Sequence, residues 1–226
     1  MSIQITQSER SDHARSVEVS TPSGTALESL RSELERNHCV RLPGLLDRGL
    51  LDRVRREIEA GEFARRDVEL KTELLMKPGR AFALLAFLVN DPDLFEVVRR
   101  ISGCERIRSF TGRVYRMLPD SDHRGAWHDD LVEGRAVAMN LNLGREAYSG
   151  GVLEIRDRDS RTILHRVANT GPGDAVIFRI SPLLQHRVTP VEGTVPKTAY
   201  VGFFEKGSDR PRPEAMLAGE SAPWER

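Results

Sequence analysis

Trp127-His128-Asp129-Asp130 lies at the centre of the stretch from Tyr115 to Phe204, around which the rest of the chain is organised. On a strand, residues two apart present their side chains to one face, so His128 and Asp130 are expected to point together and Asp129 to point away. An imidazole and a carboxylate on one face are two members of a two-histidine, one-carboxylate set, the usual mount for non-haem Fe(II). Gln185-His186-Arg187-Val188-Thr189-Pro190-Val191 supplies a second histidine on a later strand. Further on, Val195-Pro196-Lys197-Thr198-Ala199-Tyr200 offers a cation suited to the distal carboxylate of a dicarboxylic co-substrate.

Working outward, the segment after Ile107 reads as eight short strands with turn signals between them: 110–117, 127–131, 136–143, 150–156, 162–168, 174–180, 186–191 and 197–204. That count and spacing predict a sandwich or barrel. Period-two alternation puts Arg113, Tyr115 and Met117 on one face of the first strand, and Ala138, Asn140 and Asn142 on one face of the third. Upstream the pattern is helical. Thr25-Ala26-Leu27-Glu28 is a capping box ahead of Leu27, Leu30 and Leu34. Cys39 to Leu42 is a short strand, and Leu50, Leu51, Val54 and Ile58 stripe a second helix that Gly61 ends. Arg80 to Val89 suits a buried helix. Asp91-Pro92 caps another, striped by Leu94, Phe95, Val98 and Ile101 and stopped by Gly103. The charged segment 62–79 is expected at the surface.

In order, Tyr115, Leu141-Asn142, Gly150-Gly151-Val152-Leu153, Gly173-Asp174-Ala175-Val176-Ile177-Phe178 and His186-Arg187-Val188-Thr189-Pro190-Val191 resemble the Fe(II)- and 2-oxoglutarate-dependent oxygenases, in particular the small, prolyl-hydroxylase-like bacterial members. Val40-Arg41-Leu42-Pro43-Gly44-Leu45-Leu46-Asp47 extends the resemblance, which covers residues 25 to 205. The resemblance implies a mainly β fold with flanking helices: a double-stranded β-helix (jelly roll, cupin-like) with N-terminal helices packed on its larger sheet. The organisation expected is a flexible tail over 1–23, one oxygenase domain over 24–206 with its barrel core at about 107–205, and a tail or lid over 207–226.

The same resemblance implies the cofactors Fe(II), 2-oxoglutarate and O2, with His128, Asp130 and His186 as metal ligands. Lys197 is implied to pair with the distal carboxylate of 2-oxoglutarate, with Tyr115 as second anchor and Asn140 as a further candidate. Two departures stand out. Lys197 comes eleven residues after His186, one more than is usual in the family, and the hydroxyl usual two positions after the cation is replaced by Ala199, with Thr198 beside it. Asp130 stands where family halogenases have a small residue, which favours hydroxylation with release of succinate and CO2. Candidate substrate contacts are Arg113, Trp127 and Arg179, with Met139 and the 62–79 segment. The two arginines suit the carboxylate of a small molecule such as an amino acid or related acid. A peptide or carrier-bound substrate, a cupin-like metal enzyme that does not use 2-oxoglutarate, and a non-catalytic binding module are the alternatives.

Composition bounds these expectations. The 226 residues are 39% hydrophobic and 30% charged, as in a soluble globular domain. Thirty-four basic residues balance thirty-four acidic ones, so nothing general points to nucleic acid. Cys39 and Cys104 form no C-x-x-C pair and read as reduced thiols. The longest apolar run, Phe82 to Val89, is too short to span a bilayer, and the polar N-terminus lacks a signal-peptide core. A cytoplasmic, non-membrane protein is expected. No sequence feature sets an oligomeric state. His13, His38, His123 and His165 read as solvated or structural histidines.

Overall fold

The computed structural model describes residues 3–9, 15–20, 22–68, 71–119, 125–168 and 170–206. Four helices form where the apolar stripes predict them: α1 (Gly24–Asn37), α2 (Arg48–Glu59), α3 (Arg80–Val89) and α4 (Pro92–Ser102). Asp47 caps α2 by accepting a hydrogen bond from the Leu50 amide at 2.9 Å. Asp91 caps α4, accepting from the Asp93 amide at 2.8 Å, with Pro92 at the first helical position. The expected capping box of α1 is not used. The cap falls two residues earlier than Thr25, at Ser23, whose side chain makes no capping bond. Ser23 Oγ lies instead 3.3 Å from Thr25 Oγ1.

The strands are β1 (Gln4–Glu9), β2 (Arg15–Ser20), β3 (Cys39–Leu42), β4 (Phe63–Val68), β5 (Lys71–Met76), β6 (Ser109–Met117), β7 (Arg135–Asn142), β8 (Ser149–Gly150), β9 (Leu153–Asp157), β10 (Ile163–Val167), β11 (Ala175–Arg179), β12 (Leu184–Val188), β13 (Val191–Glu192) and β14 (Lys197–Glu205). Seven of them make one antiparallel sheet in the order β3-β11-β7-β14-β6-β5-β4. A smaller sheet runs β10-β9-β12, with β8 and β13 paired beside it. Together the two sheets form a double-stranded β-helix.

Alternation along the large sheet divides two cores. Phe110, Val114, Val137, Met139, Leu141, Ala175, Ile177, Tyr200 and Phe204 pack with the inward stripes of the helices. The opposite face turns toward the small sheet: Ala138, Val176 and Phe178 meet Leu153, Ile155 and Leu184, while Tyr115, Met117 and Ala199 meet Tyr148 and Val191. Strand register fixes the rows of this inner face. Arg113 lies opposite Val201 and Val201 opposite Asn140; Tyr115 lies opposite Ala199; Met117 lies opposite Lys197.

Two expectations are corrected, and a third, the surface segment 62–79, gains a strand pairing. Residues 4–9 and 15–20 are an antiparallel hairpin rather than a flexible tail. Ile3, Ile5 and Val19 are buried in the helix-side core, and Ile5 donates to Leu45 O at 2.6 Å and accepts from the Asp47 amide at 3.1 Å. Segment 62–79 is also a hairpin, β4-β5, which extends the large sheet through Leu74 opposite Arg116 and Leu75 opposite Tyr115. Finally, residues 127–131 form no continuous strand but a single bridge between His128 and His186. The expected lid at 207–226, His13 and His123 lie outside the described residues. Among the described residues, no helix is long and apolar enough to cross a membrane.

Candidate metal centre

The bridge is what brings the centre together. The His128 amide donates to His186 O at 3.1 Å and the His186 amide to His128 O at 2.8 Å, so the two imidazoles lie side by side with ring centroids 4.3 Å apart. Strand alternation would carry Asp130 along the same face. Instead Asp130 takes φ 54, in the left-handed region, and the chain turns there. The turn swings its carboxylate back, with Oδ2 3.1 Å from His186 Nε2 and 3.7 Å from His128 Nε2. One donor atom from each of His128, Asp130 and His186 lies within 4.8 Å of the others. Asp129 points elsewhere, as expected, and is ion-paired with Arg158.

Each group is prepared for that convergence. His128 Nδ1 lies 2.9 Å from Ala126 O. A carbonyl only accepts, so the proton sits on Nδ1 and the Nε2 lone pair faces the centre. His186 sits on β12 with its ring against the edge of Phe178, at 4.8 Å between centroids. Burial pushes the Asp130 carboxyl up, but the hydrogen bond to His186 and the positive fields of His186, His128 and Arg135 outweigh it and hold the group below the usual carboxylate range. Side-chain exposure falls from 43% at His128 through 26% at Asp130 to 8% at His186, so the centre is closed on the barrel side and open on the other. Two imidazole nitrogens and a carboxylate oxygen fit Fe(II) and leave coordination positions for exogenous ligands.

Lys197 lies at the far end of the inner face, 3% exposed, and donates from Nζ to Gly151 O at 2.8 Å. Tyr115 and Tyr148 are buried in the same cluster, with the Tyr148 ring centroid 5.6 Å from Nζ. Burial raises the Tyr148 hydroxyl, against a hydrogen bond with Thr170 that lowers it. Gly151, at φ 58, lets this corner close: a Cβ there would lie 2.9 Å from Tyr148 and 3.1 Å from the Lys197 stem. A buried ammonium beside the Tyr148 ring fits the distal carboxylate of 2-oxoglutarate. Tyr148 was not singled out by the sequence because the loop carrying it has no strand periodicity.

Arg113 and Asn140 share the inner face, on either side of Val201. The other substrate candidates do not. Trp127 packs against Arg156 and Arg187, whose guanidinium carbons lie 4.2 and 4.6 Å from its ring centroid, on the face of the small sheet opposite the buried Ile155 and His186. Arg179 alternates with Ile177 toward the helices. Its amide donates to His38 O at 2.9 Å, and burial together with the Arg179 charge lowers the His38 pKa. Met139 is buried in the helix-side core. Arg135 is the neighbour that spacing did not reveal. It opens β7, and its guanidinium lies 3.1 Å from Asp130 O.

The sequence model of the 2OG-Fe(II) oxygenase superfamily matches residues 112–205. No curated protein matches the sequence. Among solved structures, an oxidoreductase of the 2OG-Fe(II) oxygenase family from Burkholderia pseudomallei is 14% identical, with a TM-score of 0.63 over 86% of this chain and 98% of its own. A Pseudomonas putida prolyl-4-hydroxylase is 18% identical, with a TM-score of 0.61 over 80% of this chain and 100% of its own. The non-haem α-ketoglutarate-dependent epimerase SnoN of nogalamycin biosynthesis is 18% identical, with a TM-score of 0.61 over 88% of this chain and 93% of its own.

Proposed function

We propose that this chain is an iron- and 2-oxoglutarate-dependent oxygenase, a reading supported by the superfamily model over residues 112–205, and that it hydroxylates an unactivated C–H bond of a small organic acid at a metal held by His128, Asp130 and His186. The observation that carries this reading is the convergence of the three donor atoms within 4.8 Å. Bound iron and 2-oxoglutarate supply the oxidation, with O2 consumed and succinate and CO2 released as one oxygen atom enters the substrate.

The chain's own residues hold and orient. Ala126 O fixes the His128 tautomer, and the His128–His186 bridge keeps both imidazoles in register. Lys197 pairs with the distal carboxylate of 2-oxoglutarate, flanked by Tyr115 and Tyr148, and the surrounding apolar cluster keeps water from that end. Asn140 lies on the same inner face. Arg113, one inner-face position from Tyr115, takes the carboxylate of the primary substrate, its planar fork suiting a bidentate contact. The open side of the centre, at His128, admits that substrate. Cys39 and Cys104 are free thiols, which suits a reducing cytoplasm.

The test is anaerobic titration of the apo-protein with Fe(II) and then 2-oxoglutarate, following the weak visible charge-transfer band of the chelate. The band is expected in the wild type and absent from His186→Ala. Amino acids and small organic acids are then screened for stimulated succinate release and for a product heavier by one oxygen. Iron binding without the band would remove 2-oxoglutarate and the role of Lys197 from the proposal.

A further inference from the structure

We infer that Arg135 is a positioning residue for Asp130, locking the carboxylate in line with the two imidazoles. The inference rests on the assignment of Asp130 as a metal ligand. Asp130 is held at φ 54, a backbone state that costs a non-glycine residue energy and persists where the surroundings impose it. Apolar burial does not impose it here, because Leu131 and Val132, which follow directly, are 44% and 52% exposed. Polar contacts hold the turn instead. The Leu131 amide donates to Asp129 Oδ1 at 3.2 Å, and the Arg135 amide donates to Val132 O at 3.2 Å.

The Arg135 side chain then reaches back over the turn. Nη1 donates to Asp130 O at 3.1 Å and lies 3.7 Å from Asp130 Oδ1. Its side chain is 11% exposed, and Cζ lies 3.7 Å from the centroid of the Phe203 ring. The guanidinium therefore presents its face to a β14 aromatic and its edge to the Asp130 backbone. That ties the turn to the most extensively paired strand of the large sheet. A lysine ammonium has no flat face and cannot make both contacts with one geometry. The bond to the Asp130 carbonyl fixes where the peptide sits, and the peptide fixes where the carboxylate points.

Co(II), a spectroscopically visible stand-in for Fe(II), is the probe. Its affinity and ligand-field spectrum are measured alongside the thermal midpoint of each apo-protein. Wild type is expected to bind Co(II), and His186→Ala to lose it. Arg135→Met is expected to weaken Co(II) by roughly 10- to 100-fold, the range typical of lost outer-shell support, and to shift the ligand-field band. The apo midpoint should move little. Phe203→Leu, which keeps the guanidinium and removes its aromatic platform, should weaken Co(II) in the same direction, and it decides the matter if Arg135→Met does not fold. Arg135→Lys should recover only part of the loss. Wild-type affinity and spectrum in Arg135→Met would overturn the inference while leaving the metal assignment intact. Full recovery in Arg135→Lys would overturn it too, since a point charge would then suffice. No Co(II) binding by the wild type would remove the metal assignment and this inference together.

Discussion

Replacing Lys197 with methionine separates co-substrate binding from metal binding. The ammonium is 3% exposed, so a carboxylate that reaches it is largely withdrawn from water. Removing one partner of a buried ion pair costs about 3–5 kcal/mol, or roughly two to three and a half powers of ten in affinity. The lower end is the better guide here. Nζ already donates to Gly151 O at 2.8 Å, and a charged hydrogen bond of about 1.5–3 kcal/mol must be shared when the carboxylate arrives. Lys197→Met should therefore weaken 2-oxoglutarate by at least about 100-fold, read from the visible band in an anaerobic titration. Fe(II) affinity should stay close to wild type. Lys197 pairs with Met117 at one end of the inner face, whereas the His–Asp–His centre lies near Phe203 and Phe178 toward the other. The thermal midpoint of the apo-protein is measured alongside, because methionine also removes the Nζ bond to Gly151 O. A 2-oxoglutarate affinity within threefold of wild type would refute the reasoning. So would an equal loss of Fe(II) and 2-oxoglutarate, which would mean that the substitution had damaged the barrel as a whole.

Asp174 is a structural node: Oδ1 accepts from the Gly44 amide at 2.8 Å, and Oδ2 from the Gly171 amide at 2.9 Å and from Arg41 at 2.6 Å. Asp174→Ala should cost about 2–4 kcal/mol in urea unfolding, with a loss below about 0.5 kcal/mol counting against the node. Among the glycines, Gly150→Ala should destabilise more than Gly151→Ala. A Cβ at 150 would lie 2.1 Å from Pro190 O, which is backbone, whereas at 151 it meets side chains that can shift; equal melting points would contradict this. Burial pushes the Glu154 carboxyl up, but hydrogen bonds from Arg166 and Arg187 outweigh it and hold it below the ordinary glutamate range. A carboxyl depressed in the folded state contributes stability that is present above its unfolded pKa and lost as pH falls through the folded one. Glu154→Gln should therefore flatten the fall in urea midpoint below about pH 5, and parallel curves for the two proteins would remove Glu154 from the acid transition.

Much of the candidate centre was legible because it uses side-chain types that few other roles combine. His128, Asp130, His186 and Lys197 stand out by chemistry whatever the backbone does. The backbone itself was misjudged at Asp130. Alternation predicted convergence with His128 for the right pair but by the wrong route, since the turn at φ 54 brings the carboxylate in. Arg135 was illegible because its contact runs across that turn and across the sheet to Phe203, and neither leaves a period in the sequence. Trp127 and Arg179 lie off the inner face, which the sequence could not show for a related reason. Alternation tells which residues share a face but not which face is inward, and one reference side chain per strand is needed to choose. Tyr115 and Ile155 supply that reference in the structure. The two strand pairs, 4–9 with 15–20 and 63–68 with 71–76, were missed because polar and charged residues dilute their apolar signal, so register with the neighbouring strand decides them.

The two ends of the inner face follow different physical rules, and the proposed reaction needs both. At the Lys197 end, Tyr115, Met117, Tyr148, Val191 and Ala199 are all buried, so a charge placed there is worth binding energy only if an opposite charge completes it. On the proposed function, that makes the end selective for an anion of fixed reach. At the other end, His128 is open and the turn after Asp130 is apolar and exposed, so little there excludes a substrate by burial alone. On the proposed function, specificity for the co-substrate is built into the sheet, and access for the primary substrate is left to the turn that Arg135 fastens. Variants at Lys197 should then act on 2-oxoglutarate with the metal intact, and variants at Arg135 on the metal with the apo-fold intact. Read on metal affinity in the absence of 2-oxoglutarate, which would join the two sites, the two sets should combine additively, as sites without a shared partner do. Strong non-additivity in Lys197→Met combined with Arg135→Met would mean that the two ends share a mobile element, and that the division of labour is not carried by the sheet.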